Sequence, residues 1–445
     1  VQVDKQHLAT PHDRFVPDLS ASTIEQYRQL NEAILGGAIS QGQDAPLTIA
    51  QLSHPGLQSS PLVSLARMPW SPALAPISAR PDLGTSYLGL VLGHVIWPVK
   101  SRPLSSKEWT AIVDQFVQAA WVMQQAGWGG VQVHSAHGYL LAEYLSPHVS
   151  HISPAIDLLG WSIAHHRQIH PPRHYRVCPS RSLCVCTFST SFCTGSTPRC
   201  RAISCSRSRS TARTSFKVVS CHLPSSAAKL TAGLDEEQAA GIVKQIVSWG
   251  VVDILEVSGG TYASPGESCT PVPQIGSPAA FASPETIGKP APTSTRQSLF
   301  AHFTTSLLPH LPPPPAGPAI LLTGGLHDRP LIAASLRDRA CDLVGIGRPA
   351  CVRPRLPKEV ILNRDVPDDQ TCLGGYNIRG AGLVKGLFGG GSGGGGIPLV
   401  GAGVSTLWHE MQLIRLGRGA GVDLGLHWIW GAIVEFAWFG ILASG

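Results

Sequence analysis

A chain of 445 residues with 43% hydrophobic and 14% charged side chains carries too little charge and too much apolar surface to be intrinsically disordered. It is long enough for one large α/β domain with appendages, or for two to three ordinary domains. The formal charge of +6 hides an uneven distribution: residues 158–229 hold eleven Arg or Lys and no Asp or Glu, which leaves the remainder mildly acidic, as in a soluble enzyme.

The opening residues show no basic patch followed by an apolar run and a small-residue cleavage site, so no signal peptide is read and a cytoplasmic protein is expected. The first strand signal ends at Gln51-Leu-Ser-His54. Ser105-Ser-Lys-Glu108 has the spacing of a capping box, and Ile112, Val113, Phe116, Ala120 and Met123 follow at helical intervals until Gly127. A strand, Val131-Gln-Val133, comes next. A second helix is predicted from Asp235-Glu-Glu237 through Ile242, Val243, Ile246 and Val247 to Gly250, then a strand over Val252 to Val257. A strand at Ala319 to Leu322, a helix at Leu331 to Arg337 and a strand at Leu343 to Ile346 complete the series. Strands alternating with helices imply parallel pairing with right-handed crossovers.

Residues 162–229 break this pattern. Seven of the 11 cysteines lie there, yet no Cys-x-x-Cys pair occurs, which argues against structural zinc. Disulfides do not fit a cytosolic chain. The Ser204 to Ser210 tract resembles an RNA-holding Arg/Ser run but has no interleaved aromatics, so no nucleic-acid partner is implied. With no periodicity of 2.0 or 3.6, the segment reads as a translated intron or out-of-frame stretch that does not fold. The organisation read from the chain is therefore 1–161 and 230–375 as two parts of one α/β body, separated by the 162–229 insert. Residues 376–396 follow as a Gly-rich linker, and 397–445 as a helical extension with an amphipathic helix over Gly401 to Arg418 that contains Leu407, Met411 and Leu413 to Leu416. Trp428 to Ala443 is apolar apart from Glu435, but it is shorter than the roughly 20 residues that span a bilayer. It is expected to pack on the body, with no membrane role.

The strand ends carry the chemistry. Gln51-Leu-Ser-His54, His134-Ser-Ala-His137, Ser258-Gly-Gly260, Thr323-Gly-Gly325 and Gly345-Ile-Gly-Arg348 would ring one mouth of a closed (β/α)8 barrel. An open doubly wound sheet would place a Gly-x-Gly-x-x-Gly loop after its first strand, and none is present there. Gly324, Gly325, Gly347 and Arg348 have the makings of a phosphate cradle, in which exposed backbone N–H groups and a guanidinium meet phosphate oxygens. His134 and His137 can donate hydrogen bonds to a developing oxyanion, and the Tyr139 phenol can deliver a proton. The pair lacks helical His-x-x-x-His spacing and a third ligand, so no metal is expected.

Gly130-Val-Gln-Val-His-Ser-Ala-His-Gly-Tyr-Leu-Leu141 with Tyr144-Leu-Ser-Pro147 resembles the substrate-binding signature of the old yellow enzyme family. Gln51-Leu-Ser-His-Pro-Gly56 with Gln58, Glu256-Val-Ser-Gly-Gly-Thr-Tyr262, Leu322-Thr-Gly-Gly325 and Asp342-Leu-Val-Gly-Ile-Gly-Arg-Pro-Ala350 are similar to the same family in the same order. Gly401-Ala-Gly with Trp408 is similar to its fungal branch. The resemblance implies a (β/α)8 barrel that binds FMN, is reduced by NADH or NADPH, and reduces the C=C bond of a small-molecule α,β-unsaturated carbonyl compound. It implies that Gln51 bonds the flavin pyrimidine edge and that Gly324, Gly325, Gly347 and Arg348 hold the FMN phosphate. His134 and His137 would bind the substrate carbonyl, and Tyr139 would protonate the α-carbon. No oligomeric state is specified.

Two departures accompany the resemblance. Val1-Gln-Val-Asp4 aligns with the end of the family's second strand, so the first strand is expected to be missing. The 162–229 segment is expected to replace the fifth strand, whose basic residue faces the flavin, with Arg176 a poor substitute. An incomplete barrel leaves unpaired edges, so the alternative to a working ene-reductase is a catalytically inactive, truncated or mis-spliced remnant.

Overall fold

The computed structural model describes residues 1–10, 13–36, 46–61, 71–81, 87–146, 213–218, 236–250, 252–258, 301, 303–324, 326, 328–372, 376, 378–381 and 398–434. Its elements in chain order are α1 (Ala21–Leu35), β1 (Ile49–Leu52), β2 (Leu74–Ala75), α2 (Tyr87–Ile96), β3 (Arg102–Pro103), α3 (Ser106–Gln125), β4 (Gly130–Ser135) and α4 (Leu140–Leu145). There follow β5 (Arg213–Val218), α5 (Glu236–Ser248), β6 (Ile254–Val257), β7 (Ala319–Thr323), α6 (Arg329–Arg337), β8 (Leu343–Gly345), α7 (Arg348–Val352), α8 (Pro398–Gly417) and α9 (Trp428–Gly431).

The helices begin where side chains satisfy their first amides. Ser105 accepts from the Glu108 N–H while Glu108 reaches back to the Ser105 N–H, the reciprocal pair anticipated from the sequence. Asp328 caps α6 through the Leu331 N–H at 2.8 Å. Gly127 and Gly250 follow α3 and α5 with φ of +78° and +66°, a region that glycine enters at little cost.

Six strands form one parallel sheet in the order β1-β4-β5-β6-β7-β8. Gln2 bridges to Ser53, and Val3 N–H donates to the Ser53 carbonyl at 2.9 Å, so the N-terminal residues add to the β1 edge away from β4. In-register partners across a parallel sheet share a face. One face carries Ala50, Leu52, Val131, Val133, Leu255, Val257, Ile320 and Leu322, all buried. It packs under Trp109, Ile112, Phe116, Ala119, Ala120 and Met123 of α3 and Ala239, Ile242, Val243 and Ile246 of α5 in one apolar cluster.

The other face carries Gln51, Gln132, His134, Glu256 and Thr323. There Gln51 Nε2 donates to Gln132 Oε1, and Gln132 Nε2 donates to Glu256 Oε2 at 2.8 Å. β4 and β6 flank β5, so their backbones lie about 10 Å apart in a flat sheet. Contact between their side chains over β5 requires this face to be concave. The polar side is the inside of the curve.

β5 corrects an expectation. Arg213–Val218 lies within the 162–229 interval read as unable to fold and as displacing the fifth strand, yet it pairs in parallel with both β4 and β6. Six residues are too short a window for periodicity to stand out, and the surrounding Ser and Arg hide the alternation of Thr214, Phe216 and Val218. The rest of that interval, Arg176 included, lies outside the described residues, as does the Gly389–Gly396 run.

The C-terminal helix also differs in detail. α8 buries Val404, Trp408 and Met411, while Leu413, expected on its apolar face, is 49% exposed. α9 packs through Trp428, whose indole donates to the Val404 carbonyl at 3.2 Å, and through Gly431 against Met411. Ile429, Trp430, Ile433 and Val434 stay exposed, so the expected packing of this apolar stretch holds for one side only of its described part. Among the described residues no helix is long and apolar enough to cross a membrane.

Candidate active site

Because every strand of the sheet is parallel, all their C-terminal ends lie along one edge. Gln51 and His54 stand there from β1, His134 to Tyr139 from β4, Ser258 from β6, Thr323 and Gly324 from β7, and Gly347 and Arg348 from the segment after β8. Residues far apart in the chain thus share one edge by topology.

His134 is buried at the end of β4. Its Nδ1 accepts from the Ala136 N–H at 3.4 Å, which leaves the proton of the neutral ring on Nε2, 3.1 Å from His137 Nδ1. His137 Nδ1 is therefore the acceptor, and its protonated Nε2 points at Ser258 Oγ, 3.4 Å away at the end of β6. The Tyr139 ring centroid lies 4.8 Å from that of His134. Both histidines and the tyrosine lie together, and Ser258 joins them across β5.

The backbone here is unusual. His137 has φ of +60° and Gly138 of +69°, and for a β-carbon-bearing residue the left-handed region costs about 1–2 kcal/mol. Gln58 holds the turn: its Nε2 donates to the His137 and Gly138 carbonyls at 2.8 and 2.7 Å. The Leu140 N–H donates to the His54 carbonyl at 3.0 Å, so the segments after β1 and β4 brace one another.

Gln51 is half-buried, with its amide nitrogen given to Gln132 and its carbonyl oxygen left as an acceptor. Lys217 of β5 is in register with both His134 and Glu256, so a lysine stands in the row between them. Sequence reasoning missed it, and only the pairing reveals it.

The glycines after β7 and β8 adjoin one another because Thr323 pairs with Gly345. A β-carbon on Gly345 would lie 2.0 Å from Thr323 Oγ1, so glycine is needed there for the strands to approach. The Thr323 hydroxyl is buried without a hydrogen-bond partner, and nothing lies within 4 Å of a β-carbon built on Gly347. An orphaned hydroxyl, Gly324 at φ +118° and open space over Gly347 fit an anionic group such as a phosphate. Arg348 Nη1 donates to Ser405 Oγ of α8 at 3.3 Å, so its guanidinium is turned to that helix. Gly325, Gly259, Gly260 and Tyr262 lie outside the described residues.

Asp4, His7 and His54 form a second cluster, with metal-capable donor atoms within 4.8 Å of one another. His54 Nδ1 accepts from the Gly56 N–H at 3.1 Å, which puts the ring proton on Nε2, 3.9 Å from Asp4 Oδ2. Metal binding at Nε2 would have to displace that proton and, with it, the Gly56 bond to Nδ1. His7 Nδ1 lies 2.8 Å from the same carboxylate. Burial alone would raise the Asp4 pKa, but the His7 bond and charge, the Gln6 amide and the His54 charge outweigh it and bring it to about 2. Asp4 and His7 form a hydrogen-bonded pair, with the His54 ring packed beside His7 at 4.9 Å between centroids.

Two imidazoles, a phenol and space for an anion on one row of strand ends offer chemistry that a cofactor-dependent enzyme would use. Residues 19–153 match the NADH:flavin oxidoreductase / NADH oxidase family. The chain is 27% identical over 367 residues to the NADH-dependent flavin oxidoreductase iccE of Talaromyces variabilis, covering 82% of this chain and 74% of that protein. It is 26% identical over 387 residues to the NADH-dependent flavin oxidoreductase iliE of Hypocrea jecorina, covering 86% and 80%. Among solved structures, an old yellow enzyme homologue from Zymomonas mobilis aligns with a TM-score of 0.49 and 17% identity over 83% of this chain and 81% of that one. The chain is thus similar to the NADH:flavin oxidoreductase / NADH oxidase family over residues 19–153, and to fungal NADH-dependent flavin oxidoreductases over most of its length.

Proposed function

We propose that the protein is an FMN-dependent ene-reductase that takes hydride from NADH or NADPH and reduces the C=C bond of α,β-unsaturated carbonyl compounds, on a (β/α)8 barrel. The observation that carries this reading is the His134–His137–Tyr139 cluster, 3.1 Å between imidazole nitrogens and 4.8 Å between the His134 and Tyr139 rings, on the strand-end edge that also bears Gln51 and the β7–β8 glycines.

FMN bound there supplies the hydride to the substrate β-carbon. Gln51 would offer its side-chain oxygen to the flavin pyrimidine edge, and Gly324, Gly347 and the Thr323 hydroxyl would hold the phosphate, with Arg348 joining them by turning from Ser405. On substrate binding the His134 Nε2–H would turn from His137, and the His137 Nε2–H from Ser258, to donate to the carbonyl oxygen, which polarises the double bond and stabilises the enolate charge. Tyr139 gives its proton to the α-carbon. The concave inner face keeps the reacting groups away from bulk water. A β5 strand between β4 and β6 supports a working fold over an inactive remnant.

Purified protein tests the proposal. It is expected to be yellow with flavin absorbance, to bleach with NADH or NADPH under anaerobic conditions, and to regain colour on adding an enone such as 2-cyclohexenone. Protein that stays colourless after incubation with FMN would refute it.

A further inference from the structure

We propose that Glu143 is a positioning residue of this site: its buried carboxyl clamps the 56–58 turn after β1 and, through Gln58, fixes the backbone that carries His137 and Tyr139. The proposal rests on the assignment of those two residues to the reaction.

Glu143 lies on α4, one turn beyond Tyr139, and is 5% exposed. Its Oε1 accepts from the Leu57 N–H at 2.8 Å. The turn lies so close that a β-carbon on Gly56 would come within 2.5 Å of Oε1 and 2.7 Å of Oε2, and Gly56 has φ of +57°. Both space and conformation therefore demand glycine where the turn meets the carboxyl. From the same turn Gln58 donates to the His137 and Gly138 carbonyls, and the Glu143 N–H donates to the Tyr139 carbonyl at 2.8 Å. The contacts form a closed ring: Glu143, Leu57, Gln58, His137–Gly138, Tyr139 and back to Glu143.

The chemistry of the carboxyl fits a clamp. Burial pushes its pKa well above the ordinary carboxylate range, the Leu57 amide opposing it only in part, and Oε2 has no hydrogen-bond partner. The groups around it are the uncharged Gly56–Leu57 turn, His54 beneath that turn, and Tyr144 on its own helix, whose phenol is pushed up to about 12 by burial and then by Glu143 and Glu108. A neutral acid holds the turn at small cost there, whereas a buried carboxylate without a cation would disrupt it.

The test compares wild-type holoenzyme with Glu143→Asp, which shortens the clamp, and Glu143→Gln, which keeps a neutral acceptor of the same length. Flavin content, kcat/KM for 2-cyclohexenone against pH, and amide hydrogen exchange at Leu57, Gly138 and Tyr139 are measured. Glu143→Asp is expected to keep its flavin, to lose about 100-fold in kcat/KM, the scale of an ångström of misplacement, and to exchange those amides at least ~10-fold faster. Glu143→Gln is expected to restore both and to extend the alkaline limb of the pH profile, since it cannot ionise. Wild-type-like kinetics and exchange in Glu143→Asp would overturn the clamp, as would an activity loss that tracks flavin content alone or an unmoved alkaline limb in Glu143→Gln. If the wild type takes up no flavin, the proposed function fails, and exchange at Leu57 and Tyr139 still decides whether Glu143 holds the turn.

Discussion

Replacing Gln132 with leucine removes the centre of the polar chain on the concave face. The wild-type side chain, 8% exposed, accepts from Gln51 and donates to Glu256 at 2.8 Å. A neutral amide pair contributes about 0.5–1.5 kcal/mol and a bond to a carboxylate about 1.5–3 kcal/mol. Leucine returns roughly 1 kcal/mol through added apolar burial, so the expected net loss is about 2 kcal/mol. Such a loss lowers the thermal midpoint by about 2 °C in a chain of this size. Urea unfolding at pH 7 measures it directly, as a lower midpoint at unchanged slope. Gln51 loses its anchor in the same variant, so FMN affinity is expected to fall as well. The Gln51→Leu/Gln132→Leu double-mutant cycle should return a coupling of about 0.5–1.5 kcal/mol. An unchanged urea midpoint would refute the reasoning, because the inner face would then be independent of its polar chain.

Further variants probe other parts of the structure. Ser105→Ala is expected to cost about 1 kcal/mol by opening the capping box of α3, read from urea unfolding, with flavin content unaltered. Asp4 has its pKa lowered to about 2, so its contribution is present above pH 4 and lost as pH falls through 2. It amounts to about 2 kcal/mol, and Asp4→Asn is expected to flatten the stability profile in that window. Tyr139→Phe should keep its flavin and its reduction by NADH but slow enone-dependent reoxidation by about 100-fold or more, followed by anaerobic stopped-flow absorbance.

Local signals were legible along the chain. The Ser105–Glu108 spacing and the helical repeat through Met123 defined α3 because a helix start and its buried stripe are properties of neighbours. The His134–Tyr139 constellation was equally readable, since it occupies six consecutive positions on one turn. β5 was not, because six residues in a basic, serine-rich setting become a strand only when β4 and β6 supply partners on both sides. The apolar side of α8 was misjudged at Leu413, since which stripe is buried depends on where α7 and α9 lie.

The amino-acid order by itself determined an alternation of strands and helices, and hence parallel pairing, with chemically equipped turns after the strands. Tertiary structure alone decided which of these turns support one another. Glu143 meets Leu57 across 86 positions, Gln132 meets Glu256 across 124, and Ser258 meets His137 across 121. Such contacts carry no periodic signal: a buried polar side chain takes whichever partner the folded backbone brings within reach, and the unfolded chain does not specify that partner.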